Sequence, residues 1–135
     1  MIEFNTTHGF QIENPTVISS WLERVIDEEH KEVGEVNYIF CDDEYLHKMN
    51  VEFLDHDTLT DVISFDYTEG VVVSGDVYIS TERVAENAIE FDVSFTDELH
   101  RVMVHGLLHY CGYKDKSDED IVTMRAKENY YLDKR

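Results

Sequence analysis

Apolar positions along this chain follow two periods, about 3.6 residues in some stretches and two in others. Asn14-Pro15 has the form of an N-cap followed by a first helical position. Behind it Val17, Ile18, Trp21, Leu22, Val25 and Ile26 share one helical face, with Gly34 as the expected stop. Residues 36–41, VNYIFC, are apolar and β-prone and predict a strand. Residues 42–53 predict a helix with Tyr45, Leu46, Met49 and Phe53 on one side. Strands are predicted at 62–67 and 71–80, paired as a hairpin around Thr68-Glu69-Gly70, with a bend or bulge at Gly75-Asp76. Helices are predicted at about 81–91, at about 96–111, and from Ser117, where Asp120 forms a weak capping box. Residues 2–12 supply one more strand or two short ones. Strands and helices mix without a strict βαβ rhythm. The expected class is therefore α+β: a small mixed sheet of about four strands packed with about five helices.

No repeat, low-complexity tract or Pro/Gly/Ser-rich linker divides the 135 residues, which fit one domain over residues 1–135. The apolar fraction of 42% is that of a globular chain. No apolar run approaches the ~18–20 residues of a membrane span. The first ten residues lack the basic start and apolar stretch of a secretory signal. Cys41 and Cys111 lie far apart and form no CxxC pair, so they are expected to be buried thiols in a reducing compartment, the cytoplasm.

The formal charge of −19, from 30 acidic against 11 basic residues, repels phosphate backbones. That argues against a non-specific nucleic-acid binder, although Arg101, Lys114, Lys116 and Arg125 could form a local basic rim. A solvated helix face explains those four equally well.

The chemistry concentrates in residues 104–115, VHGLLHYCGYKD. Leu99, Val102, Met103, Gly106, Leu107 and Tyr110 make one apolar stripe, and His105 and His109 project together from its edge. Histidines at i and i+4 can point ring nitrogens at one ion. Gly112 tolerates the left-handed conformation that ends a helix, so the chain can reverse and return Asp115 over the same face. His105, His109 and Asp115 are the candidate metal ligands. Two histidines and a carboxylate leave a fourth position open, as in catalytic zinc sites. The zincin pattern HExxH is absent, because Gly106 stands where its glutamate would be. No GxSxG elbow or phosphate-binding GxxxxGK[ST] loop is found. Asp61 and Asp76 are either site-facing carboxylates or turn formers. Glu98 is either a partner of the histidines or an exposed first-turn acid. Tyr130 and Tyr131 are expected to pack rather than to stack on bases.

The segment resembles the hallmark HGxLHLxGYDH of the YbeY family, metal-binding endoribonucleases of bacterial rRNA maturation. Thr60-Asp61-Val62-Ile63-Ser64-Phe65 looks like that family's TDVLSF strand, and Gly75-Asp76-Val77-Tyr78-Ile79-Ser80 like its GDIxIS strand. The three blocks stand in the family's order and spacing. The resemblance implies an α+β fold with the metal site at the end of the HGxLH helix. It further implies one divalent ion, with zinc expected, and cleavage of single-stranded rRNA in 16S rRNA 3′-end maturation and ribosome quality control. The partners it implies are rRNA, the small ribosomal subunit and an assembly GTPase. The chain departs from the pattern in two places. Asp115 replaces the third histidine and Lys114 the aspartate before it, so a bound ion would be one unit less positive than in a three-histidine site. Alignment through Asp57 and Thr60 puts Leu54 where many relatives carry an arginine, which could hold a phosphate as leucine cannot. Two alternatives therefore stay open: a non-catalytic ribosome-assembly factor with a structural metal, and a metal-dependent hydrolase of another substrate.

Overall fold

The computed structural model describes residues 1–54 and 60–135, Leu54 by its backbone alone. The chain runs β1 (Ile2–Thr6), α1 (Pro15–Glu28), β2 (Glu32–Cys41), α2 (Asp43–Leu54), β3 (Val62–Asp66), β4 (Val72–Ser80), α3 (Thr81–Glu90), α4 (Phe95–Tyr110) and α5 (Asp118–Leu132). The four strands form one mixed sheet in the order β1-β2-β4-β3. β1 and β4 flank β2 in parallel, and β3 pairs antiparallel with β4 as the predicted hairpin. The expected α+β class, four strands and five helices are all present.

Side chains alternate across the sheet, as a two-residue period requires. Val36, Tyr38 and Phe40 of β2 and Val73, Val77 and Ile79 of β4 enter the larger core with α1, α4 and α5. Cys41, Ile63, Leu46 and Met49 form a smaller core beneath α2. α4 is buried nearly all round, through Leu99, Val102, Met103, Val104, Leu107, Leu108 and Tyr110. A helix so covered is central rather than superficial, and α4 touches the sheet, α1, α3 and α5. No helix among the described residues is long and apolar enough to cross a membrane.

Several local expectations are corrected. α1 stops at Glu28, where Glu29 caps it and His30 takes φ 61°, so Gly34 is not its stop. Gly34 lies inside β2, whose register against β4 shifts between Val33 and Val36. The bulge thus sits in β2 opposite Ser74, not at Gly75-Asp76 of β4. Asn14 is the N-cap of α1 but lies in the left-handed region, and its side chain accepts no capping hydrogen bond. Of the predicted α2 face, Leu46 and Met49 are buried, whereas Tyr45 and Phe53 are exposed, with rings against Tyr78 and Phe65. Neither thiol is in a disulfide; Cys41 is buried as expected but Cys111 is only half-buried, and burial pushes Cys41 up to about 12 and Cys111 up to about 11.

Gly75 is needed for close approach. A Cβ there would lie 2.5 Å from the Tyr110 ring and 2.6 Å from the Phe65 carbonyl oxygen. The Tyr110 hydroxyl donates to the carbonyls of Phe65 and Asp76, at 3.1 and 3.0 Å, and so ties the end of α4 to both arms of the hairpin. His100, buried on α4, lies beside the Trp21 ring and accepts at Nδ1 from Arg135 at 2.9 Å. Burial first, and then the Arg135 charge, lower its pKa to about 4.

Gly75→Ala should destabilise the protein by about 1–3 kcal/mol in urea unfolding, the usual cost of overpacking. Gly106→Ala should be neutral or stabilise by up to about 1 kcal/mol, the glycine-to-alanine gain in a helix, because its Cβ would meet Val77 only at 3.4 Å. His100 should make the fold acid-sensitive. Its folded pKa lies below the unfolded value, so its contribution is complete above pH ~6.5 and is lost as pH falls toward 4, by on the order of 3 kcal/mol. Urea unfolding of metal-free protein between pH 7 and 4.5 should show this slope, and His100→Gln should flatten it.

Candidate metal centre

The geometry of the site begins with how α4 ends. Ser94 caps its start by accepting from the Asp97 N–H at 3.1 Å. At its other end Cys111 is the cap and Gly112 takes φ 106°, a left-handed turn that favours glycine. The Gly112 N–H donates to the His109 carbonyl at 3.0 Å and the Tyr113 N–H to the Leu108 carbonyl at 3.1 Å. These two bonds are a Schellman motif. The same reversal brings the Tyr113 carbonyl against His109 Nδ1 at 2.9 Å. The chain then crosses back through Asp115, and Ser117 with Asp120 forms the capping box that starts α5.

Arg101, His105 and His109 make the one half-exposed edge of α4 through its middle and last turns. His105 Nε2 and His109 Nε2 lie 3.0 Å apart. Asp115 Oδ2 lies 3.3 Å from the first and 3.2 Å from the second. All three sequence-derived candidates are therefore brought together, with donor atoms within 4.8 Å of one another.

The outer nitrogens fix what the inner ones are. The Tyr113 carbonyl can only accept, so His109 Nδ1 carries its proton and Nε2 presents a lone pair. His105 Nδ1 faces Glu128 Oε2 at 2.7 Å and donates likewise. With both rings neutral, two ring lone pairs and a carboxylate converge on one point, an arrangement that calls for a cation. In a zinc tetrahedron with bonds of about 2.0–2.1 Å, neighbouring donors stand about 3.3–3.4 Å apart. The donor set and its separations fit such an ion.

Glu128 was not foreseen from the sequence. It is buried on α5, receives His105 on one oxygen, and receives Arg101 on the other at 2.8 Å. Burial alone would raise its pKa, but the hydrogen bonds from His105 and Arg101 outweigh that and hold it below the ordinary carboxylate value. Burial in turn works against a charged His105, and the Glu128 bond outweighs it, so the His105 pKa is raised. A usable signal existed: Met124, Glu128 and Tyr131 are spaced as one buried helical stripe, and a carboxylate in such a stripe needs a partner.

Beside His105 and Asp115 opens a cleft of about 410 Å³, also lined by Asp61, Glu98, Arg101, Arg125 and Glu128. Of the expected basic rim, Arg101 and Arg125 reach this cleft, whereas Lys114 and Lys116 are exposed and do not line it. Arg101 is occupied by Glu128 and by Asn129 at 2.8 Å. Asp61 accepts from Asn87 at 3.4 Å. Asp76 faces Asn37 and lies away from the cleft. Glu98 is neither a partner of the histidines nor an exposed acid; it is buried in the cleft wall. Tyr131 is buried and Tyr130 bonds Glu28, so both pack. The side chain of Leu54, and Asp57 that aligned it, lie outside the described residues.

The family model described as "Endoribonuclease YbeY" matches residues 2–135. Two relatives of that name, from Flavobacterium johnsoniae and Flavobacterium psychrophilum, are 60% and 58% identical to this chain. Those matches cover 96% and 98% of it and 93% and 94% of their own lengths. A solution structure from Thermotoga maritima superposes with a TM-score of 0.70 at 28% identity, over 98% of this chain and 87% of that one. By its sequence blocks, its sheet order and these matches, the chain belongs to the YbeY endoribonuclease family.

Proposed function

We propose that this protein is a metal-dependent endoribonuclease that cuts single-stranded rRNA in 16S rRNA 3′-end maturation and in ribosome quality control. The observation that carries the metal half of this reading is the convergence of His105 Nε2, His109 Nε2 and Asp115 Oδ2. The family membership carries the RNA half. His105, His109 and Asp115 would hold one divalent ion, with zinc the expected one. When bound, such an ion supplies Lewis-acid polarisation of a phosphoryl oxygen and acidifies water.

The rest is done by the chain's own groups. Glu128 and the Tyr113 carbonyl hold the two rings in the tautomer and orientation that keep Nε2 free. Arg101 holds Glu128. Arg125 is the more exposed cation of the cleft, only 3.6 Å from an already paired Glu128, and can approach a phosphate. The expected setting is the cytoplasm, with rRNA, the small ribosomal subunit and an assembly GTPase as partners. Leu54 at the position where many relatives carry an arginine, together with the charge of −19, favours a second reading. In it the protein is an assembly factor whose ion is structural.

Metal content and cleavage of a single-stranded rRNA precursor, measured on one preparation, separate the two. Wild type should carry about one equivalent of metal, and His109→Ala and Asp115→Ala should lose both metal and cleavage. Metal whose removal unfolds the protein, with no RNA cut, would establish the structural reading instead. Glu128→Gln should keep the fold, since it can still accept from Arg101, yet weaken metal affinity by about 10–100-fold. Competition with a chromophoric chelator measures that loss.

A further inference from the structure

We infer that Glu98 is a catalytic residue, the group that gives a proton to the leaving ribose oxygen when the phosphodiester bond is cut. This rests on the nuclease reading above and adds the acid that reading lacks. Glu98 lies in the N-terminal part of α4, two turns before His105, and lines the same cleft as His105 and Asp115. Its side chain is 6% exposed. No hydrogen bond or ion pair to its carboxyl group is found among the described residues, and since no buried side-chain oxygen among them is orphaned, its oxygens open onto the cleft. A mostly buried carboxyl group whose oxygens meet only the cleft is placed to act on what binds there, and such groups concentrate where chemistry needs them.

The surroundings favour the acid form. Burial is the main influence and raises the pKa of Glu98. Arg101 on its own helix and Arg125 on α5 oppose this, whereas Asp61, ahead of β3, and Glu128 on α5 reinforce it. Arg101 is already bonded to Glu128. None of the three candidate metal ligands is among the charges that set this balance. The cleft, at about 410 Å³, is within the size range of small-ligand sites, about 300–1,000 Å³, so one nucleotide unit fits it.

In the step itself, a water oxygen bonds to phosphorus and the bond from phosphorus to the leaving ribose oxygen breaks. The Glu98 proton ends on that ribose oxygen. The attacking water releases one proton to solvent, and solvent reprotonates Glu98. A leaving alkoxide is a poor leaving group without that proton, which is where a positioned acid acts.

Glu98→Gln keeps the shape and neutrality of the protonated side chain. With metal-loaded protein its kcat on single-stranded RNA should fall about 100-fold or more, the usual yield of a general acid. Metal content and RNA affinity should stay as in wild type. On the same RNA with sulfur as the leaving bridging atom, which departs without a proton, the deficit should shrink to about threefold or less. The fall in wild-type kcat toward alkaline pH should vanish in the variant. Carboxyl-carbon NMR of metal-free wild type should put the Glu98 midpoint above the ordinary glutamate value of about 4.3. A variant that cuts within about threefold of wild type, an equal deficit on both substrates, or an ordinary midpoint would each overturn the assignment. If Glu98→Gln does not fold, the wild-type titration still decides. Metal-loaded wild type that cuts no RNA fells the nuclease reading and this one with it. Active wild type beside an unimpaired variant fells this one alone.

Discussion

Everything at the candidate metal centre depends on α4 being enclosed. The helix is apolar around most of its circumference, so its axis, rotation and depth are fixed by the sheet on one side and by helices on the others. The Tyr38 hydroxyl bonds the Met103 carbonyl at 2.9 Å, which adds a polar fixture inside the core. What remains outward is one narrow edge, Arg101, His105 and His109. Its position is inherited from core packing rather than chosen by surface loops. Rigid elements hold a site more precisely than loops do.

The second constraint is electrostatic. The chain is strongly acidic, yet at the centre its carboxylates are arranged by partner rather than by number. Glu128 is satisfied by a histidine and an arginine, and Asp115 faces two ring nitrogens. Glu29 is surrounded in the same manner by Tyr113, Tyr131 and Lys127. Burial would raise its pKa, but the tyrosine and lysine hydrogen bonds outweigh that and lower it. Glu98 stands apart from all of these, buried without such partners. A net charge says little about a site until each charge is assigned its neighbours.

Much of this was legible in the chain. Period-two and period-3.6 patterns located most strands and helices to within a few residues, because burial on one face leaves a direct trace in sequence, but not the end of α1 or the extent of β1. His105, His109 and Asp115 were legible because a helical pair and a glycine turn are local geometry. Gly34 misled because a glycine that ends a helix and one that sits in a bulge look alike before strand register is known. Glu128 and Glu98 were missed or misread for a different reason. Their meaning lies in contacts across 23 residues to His105 and in a cleft built from β3, α4, α5 and the loops beside them. On α5 the only sign of which acid turns inward is the faint stripe of Met124, Glu128 and Tyr131.

The capture of His105 by Glu128 has a consequence for the order of events during synthesis. Both histidines, the Schellman turn and Asp115 all precede α5 in the chain, so a nascent protein can display all three donors before the helix that orients His105 has been made. Until α5 docks, with the Trp21 indole N–H closing on the Tyr131 carbonyl at 2.8 Å, the His105 ring has neither its fixed tautomer nor its fixed direction. Since domains acquire structure from the N-terminal side as they are translated, competence at this centre arrives only with the last helix. A nearly finished chain therefore carries all three candidate ligands before the centre that would hold an ion is complete.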